Sequence, residues 1–218
     1  MSALRFPRGL YGVTPEWDDT DRLLDAVRSA AAGGMRALQL RRKNVTTEQR
    51  IAQARALVPV CRNLGVVFLV NDDWRVALEV GADGAHLGRD DGDLAQARKE
   101  AGDTFILGAS CYNDLDRARE LLDACADYIA FGAMFVSPTK PHAVPAPIAL
   151  LAQARDLAAQ HARDTTARAA VVAIGGITAA RAPQLVQAGA DSIAVITGLF
   201  ETPDIQAAAL ACTEPFNL

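Results

Sequence analysis

The stretch FLVNDDWRVALEVGADGAHLGRDD, Phe68 to Asp91, decides how the chain is read. An apolar run, FLV, ends in Asn71-Asp72-Asp73. An amphipathic segment, WRVALEVGA, comes next and passes Gly81, a helix C-cap signal. A second apolar run, GAHLG, then leads through Arg89 into Asp90-Asp91. Short continuous apolar runs separated by a helical segment are what parallel strands covered by helices require. The stretch therefore predicts strand, helix, strand, with a carboxylate pair just past the end of each strand.

The same unit recurs on both sides. Strand-like runs are LYGVT (Leu10–Thr14), ALQLR (Ala37–Arg41), VVFLVN (Val66–Asn71), GAHLG (Gly84–Gly88), FILGAS (Phe105–Ser110), YIAFGAMF (Tyr128–Phe135), VVAIGGI (Val171–Ile177) and SIAVITGLF (Ser192–Phe200). Amphipathic stretches rich in Ala, Arg and Leu lie between them and after the last. Eight strand–helix units in strict alternation predict a single α/β domain over residues 1–218, a (β/α)8 TIM barrel with its core at about 10–212. GADGAHLG, CADYIAFG and GADSIAVI repeat one phrase: helix end, Asp, strand. The alternative, a doubly wound open sheet, lacks a G-x-G-x-x-G after the first strand.

Half of the residues are hydrophobic, 22% are charged, and the net charge is −4, which gives no support to a nucleic-acid partner. No apolar run approaches the roughly 20 residues that span a bilayer, and MSALRFPRGLYGVT lacks the pattern of a signal peptide. Cys61, Cys111, Cys125 and Cys212 are scattered without a C-x-x-C pair, so reduced thiols in a cytoplasmic protein are expected.

In a barrel the active site lies at the C-terminal ends of the strands. The residues just past each apolar run are polar and mixed in charge, which suits a phosphorylated small molecule with a metal ion. Asp72 and Asp91, with neighbours Asp73 and Asp90, are candidates to hold Mg²⁺, which shares its shell with waters and substrate phosphates. Each equally suits a helix cap, and a doublet allows one Asp to cap while the other reaches inward. Gln39 and Arg41 alternate with Leu38 and Leu40, so both can point into the mouth. Lys140, bracketed by Pro138 and Pro141, is preorganised to meet a phosphate or is an incidental loop residue. Gly175-Gly176 resembles the bare-backbone phosphate cradle of many barrels. His86 reads as a hydrogen-bonded core residue rather than a catalyst.

LYGVT, ALQLRRK, VNDD, GADGAHLGRDD, LGASC, YIAFGAMFVSPTK, VAIGGI and GADSIAVITGLF occur in the order and rough spacing of a known family. From about Leu10 to Phe200 the chain resembles thiamine phosphate synthase. The resemblance implies a transferase that joins hydroxymethylpyrimidine diphosphate to hydroxyethylthiazole phosphate and releases pyrophosphate. Carried over by position, Gln39, Arg41, Lys43 and Asn71 would contact the pyrimidine diphosphate, and Asp72 and Asp91 would hold Mg²⁺. Ser110 would sit near the pyrimidine and Lys140 would grip the diphosphate. Ser137 and Thr139, with Gly176, Ile196 and Thr197, would receive the thiazole phosphate. Arg41, Lys43, Lys140 and Ser110 carry the catalytic expectation. The family often has Glu where Arg42 stands, Gln at Arg89, Thr at Ser137, and Asp after the V-T that here precedes Pro15-Glu16-Trp17. Arg42 and Arg89 are expected to add positive charge near the mouth. Thiazole tautomerases share the fold, and a non-catalytic phosphate-binding barrel is a further alternative. Self-association into a homo-oligomer stays open.

Overall fold

Each apolar run becomes a short parallel strand, buried on both faces, and each amphipathic stretch becomes a helix laid over it. The computed structural model describes residues 3–136, 144–162 and 167–217. In chain order, the first half comprises β1 (Ala3–Leu4), β2 (Gly9–Val13), α1 (Thr20–Ala32), β3 (Met35–Leu40), α2 (Thr47–Leu64), β4 (Val67–Asn71), α3 (Trp74–Val80), β5 (Gly84–Leu87) and α4 (Leu94–Ala101). The second half comprises β6 (Ile106–Tyr112), α5 (Leu115–Asp123), β7 (Tyr128–Phe131), α6 (Leu150–Gln160), β8 (Ala167–Arg168), β9 (Ala170–Ile174), α7 (Ala182–Gln187), β10 (Ser192–Val195), α8 (Thr197–Phe200) and α9 (Ile205–Thr213).

The sheet closes in the order β10-β2-β3-β4-β5-β6-β7-β9, and every pair is parallel. This is the (β/α)8 barrel that strict alternation predicts; the open sheet is excluded. Alternate residues of each strand serve different layers. Leu38, Leu40, Phe68, Val70, Ile129 and Val171 pack outward under the helices. Tyr11, Ala37, Leu69, Tyr128, Val172 and Ala194 fill the lumen together with Phe6. Phe6 comes from the segment before β2, and its ring lies 5.1 Å from that of Tyr11 and 4.3 Å from that of Tyr128. β1 pairs with β8 outside the barrel sheet. Gly108 is glycine because any Cβ there would lie 1.9 Å from the Tyr128 ring.

The repeated Asp of the three similar phrases does one job three times. Asp83 accepts a hydrogen bond from the Phe68 N–H at 2.8 Å, Asp127 from Leu107 N–H at 2.8 Å and Asp191 from Val171 N–H at 2.9 Å. In each case the residue that opens one barrel strand ties down the neighbouring strand. Asp127 and Asp191 are also paired with buried arginines, Arg98 at 2.5 Å and Arg168 through two bonds of 2.7 Å. A buried charge holds its place only when it is paired, and both arginines are, although Arg98 Nε itself has no hydrogen-bond partner.

Three runs end well before their apolar character predicts, VVAIGGI being strand only to Ile174. SIAVITGLF is strand only to Val195; Thr197–Phe200 is helix, with Leu199 and Phe200 buried in the outer core. YIAFGAMF is strand only to Phe131, after which Met134 and Phe135 donate backbone bonds to Ile174 and Gly175. An apolar run records burial, and burial alone does not separate strand from buried helix or turn.

Candidate active site

The site is built from strand ends. β2 and β3 supply Val13, Gln39, Arg41 and Lys43; β4 and β5 supply Asn71, Asp72, His86 and Asp91. β6 adds Ser110 and Tyr112, while β9 and β10 add Gly176, Ile196 and Thr197. Together they line a cavity of about 560 Å³ at the C-terminal end of the barrel. All ten expected site residues within the described part of the chain line this cavity. Ser137, Thr139 and Lys140 lie outside the described residues.

The doublet at the end of β4 divides its work. Asp73 accepts from the backbone N–H of Arg75 and Val76 and caps α3. Asp72 adopts φ +69, a left-handed conformation that few residues besides Gly, Asn and Asp tolerate. Its N–H donates to the His86 carbonyl at 2.8 Å, and its carboxylate lies 3.4 Å from Lys43 Nζ. After β5 the helix cap is Asp93, while Asp91 accepts from the Gly88 N–H at 2.7 Å. Burial first, then the hydrogen bond and charge of Asp91, push the Asp72 carboxyl above its ordinary value, and Lys43 pulls the other way. The two carboxylates are thus side by side and incompletely neutralised.

A residue that no motif pointed to organises the cations. Glu16, just past β2, holds Arg41 Nη1 at 3.0 Å and accepts the Lys43 backbone N–H at 3.0 Å. Thr14 Oγ1 accepts the Arg41 N–H at 2.9 Å, so the ends of β2 and β3 are latched together. The only sequence signal was an acid shortly after the first strand.

Arg42 corrects an expectation. It does not line the cavity; it is 6% exposed and turned outward to Asp18, Gln53 and the Trp17 carbonyl. It lies past the end of β3 at Leu40, and its partners Asp18 and Gln53, from other elements, hold it on the side away from the mouth. Arg89 does line the cavity, with its guanidinium 4.9 Å from the centre of the Tyr112 ring. Gly175 and Gly176 have φ of +102 and +62, and a Cβ on Gly176 would lie 2.5 Å from the Val136 carbonyl. Left-handed backbone and close approach of the loop after β7 both require glycine there.

Below the charged rim the floor is polar. Gln39 Nε2 donates to the Tyr11 hydroxyl at 2.7 Å, and that hydroxyl lies 2.9 Å from Tyr128 Oη. His86 sits between Tyr128 Oη and Ser110 Oγ, 2.9 Å from each. The core reading of His86 is met, yet the ring also lines the cavity. Cys61, Cys111 and Cys212 are buried and Cys125 is half-buried, and all four thiols are free.

A closed parallel barrel with a charged pocket at the C-terminal mouth is the build of a TIM-barrel enzyme. Residues 10–199 match the family model described as thiamine monophosphate synthase. The chain belongs to that family and is a transferase. It is 68% identical over 218 residues to a thiamine-phosphate synthase of Bordetella avium, covering 100% of this chain and 99% of that one. The counterpart in Bordetella pertussis is 66% identical with the same coverage. Among solved structures, a thiamine phosphate pyrophosphorylase from Pyrococcus furiosus aligns with a TM-score of 0.79 at 30% identity, covering 98% of this chain and 97% of that one. No helix among the described residues is long and apolar enough to cross a membrane.

Proposed function

We propose that the pocket holds hydroxymethylpyrimidine diphosphate and hydroxyethylthiazole phosphate together and joins them into thiamine phosphate. The observation that carries this reading is the meeting of Arg41, Lys43, Asp72 and Asp91 at one side of a single cavity. Gly176, Ile196 and Thr197 stand across from them, since β9 and β10 lie opposite β4 and β5 in the strand order. Gln39, Asn71 and Ser110 take the pyrimidine, while Arg41, Lys43 and Lys140 take the diphosphate. Ser137, Thr139, Gly176, Ile196 and Thr197 take the thiazole phosphate.

Asp72 and Asp91 suit a divalent cation. They are adjacent, and burial first, then the hydrogen bond and charge of Asp91, raise the protonation tendency of Asp72 against the pull of Lys43. Among the described residues no group of three or more His, Cys, Asp or Glu side chains could hold a metal, so Mg²⁺ would complete its shell with water and diphosphate oxygens. When bound, the ion supplies charge neutralisation for the departing pyrophosphate. Arg41, Lys43 and Lys140 add to that stabilisation as the C–O bond breaks and negative charge collects on the leaving group. The thiazole nitrogen is already a nucleophile, so the residues across the pocket need only align it with the pyrimidine methylene carbon. No side-chain general base is required. Small phosphorylated molecules are the partners, and the cytoplasm is the compartment.

The deciding experiment incubates the purified protein with both substrates and Mg²⁺, then repeats it with a chelator. Thiamine phosphate and pyrophosphate should appear in equal amounts, and only with the metal. Turnover of a thiazole carboxylate alone, without coupling, would instead mark a tautomerase. Lys140→Ala should slow diphosphate loss far more than it weakens thiazole binding; equal effects would reassign that lysine.

A further inference from the structure

A chain of hydrogen bonds runs beneath the pocket: Gln39, Tyr11, Tyr128, His86, Ser110. Both of its ends line the cavity, and both tyrosines are fully buried. Burial pushes both phenols well above their usual range, so each keeps its hydrogen. A phenol has one hydrogen to give, which makes the direction of the chain decidable.

Gln39 Nε2 donates to Tyr11, so the Tyr11 oxygen is an acceptor there and its own hydrogen needs another partner. Among the described residues the hydroxyl in reach is that of Tyr128. If Tyr128 donated to Tyr11 instead, the Tyr11 hydrogen would be buried without an acceptor, at a cost of about 1–3 kcal/mol. Tyr11 therefore donates to Tyr128, and Tyr128 must donate to Nδ1 of His86. With Nδ1 accepting, the ring hydrogen stands on Nε2 and is donated to Ser110 Oγ. The Ser110 hydrogen is then directed at the pocket. At the other end one hydrogen of the Gln39 amide nitrogen is used on Tyr11, and the amide also acts on the Tyr128 phenol. The Gln39 carbonyl oxygen has no partner among the described residues and is not among the buried atoms left without one, so it is open to the cavity.

We propose that this buried chain sets the hydrogen-bond polarity of the pocket floor, with Tyr11, Tyr128 and His86 acting as positioning residues that select an aminopyrimidine over its oxo analogue. The floor presents one acceptor, Gln39 Oε1, and one donor, Ser110 O–H. That pair complements an exocyclic amino group beside an unprotonated ring nitrogen. A 4-oxo ring with a protonated nitrogen offers the reverse pattern. To receive it, every bond in the chain would have to invert together, including the Gln39 amide. The inference rests on the proposed function, through the placement of the pyrimidine on Gln39 and Ser110.

Two measurements test it. In ¹⁵N spectra of the wild-type protein, with His86 assigned by its loss in His86→Gln, the ring should carry its hydrogen on Nε2 and none on Nδ1 at neutral pH. A hydrogen on Nδ1, alone or with Nε2, would overturn the proposal without any substrate present. Second, kcat/KM is compared for 4-amino and 4-oxo hydroxymethylpyrimidine diphosphates in the wild type, Tyr128→Phe and the Tyr11→Phe/Tyr128→Phe double variant, which leaves no phenol stranded. The ratio of variant to wild type cancels the intrinsic reactivity of each ring. Cutting the chain should lower the preference for the amino ring at least tenfold, with KM for the thiazole phosphate within twofold of wild type. Equal slowing of both rings would assign these residues to folding alone. If the wild type couples nothing, the function reading fails, and the histidine spectrum still decides the direction of the chain.

Discussion

The two ends of this barrel use the same residue type in opposite ways. At the N-terminal end Asp83, Asp127 and Asp191 accept backbone N–H groups of neighbouring strands, and the last two are locked to Arg98 and Arg168. At the C-terminal end Asp72 faces Asp91, with Lys43 as a half-exposed and partial counter-charge. One end ties its carboxylates to backbone N–H groups and two buried arginines and adds stability. The other is left short of positive charge, in a strained turn, where a cationic ligand would complete it. Stability and chemistry are thus separated along the barrel axis.

The contrast predicts opposite signs for replacing an aspartate. Asp72→Asn should reduce coupling on the order of 10³-fold, the scale of losing a few kcal/mol of charge stabilisation. The same change should raise the melting temperature of the metal-free protein at neutral pH. Lower stability would mean that Lys43 already satisfies the carboxylate. At the other end Asp191→Ala strands Arg168 in the interior and should cost roughly 3–5 kcal/mol in urea unfolding. The folded fraction should keep a kcat within about twofold of wild type, since nothing at the mouth moves. A collapse of kcat at full folding would break the division of labour.

The acidic pair also predicts a pH dependence. The carboxyl of Asp72 has a raised pKa in the folded protein against about 3.9 in the unfolded chain. Between those values the folded state binds the extra proton, so stability falls as pH rises through the window and stays lower above it. Chelated wild-type protein should show this loss, and Asp91→Asn, which removes the interacting charge but not the burial, should lessen it. The smallest effect is expected at Glu16. Its pairs are partly exposed and worth about 1 kcal/mol or less, so Glu16→Gln should raise KM for the pyrimidine diphosphate several-fold and leave kcat nearly unchanged. A fall in kcat alone would give Glu16 a role in the reaction itself.

Legibility tracked the range of the interactions involved. The helices were readable because amphipathic period and capping are properties of neighbouring residues: Asp19, Thr46, Asp93 and Asp204 cap helices where polar residues precede apolar periodicity. The ends of the sixth and eighth runs were not readable, because Met134, Leu199 and Phe200 are as buried as strand residues. Arg42 faces away from the mouth because its partners Asp18 and Gln53 belong to other elements, which no local pattern reveals.

What the sequence determined by itself was the alternation, and with it the barrel and the rim to which Gln39, Arg41, Asn71, Asp72, Asp91 and Ser110 are delivered. Local periodicity suffices for that, since strand ends fall where apolar runs meet polar doublets. Only the tertiary structure decided which aspartate of a doublet turns inward, that Glu16 aims Arg41, and that a hydrogen-bonded chain runs beneath the pocket. Those outcomes depend on partners up to 117 positions apart, as Tyr11 and Tyr128 are. No window of the sequence contains both, and closure of the barrel is what makes them neighbours.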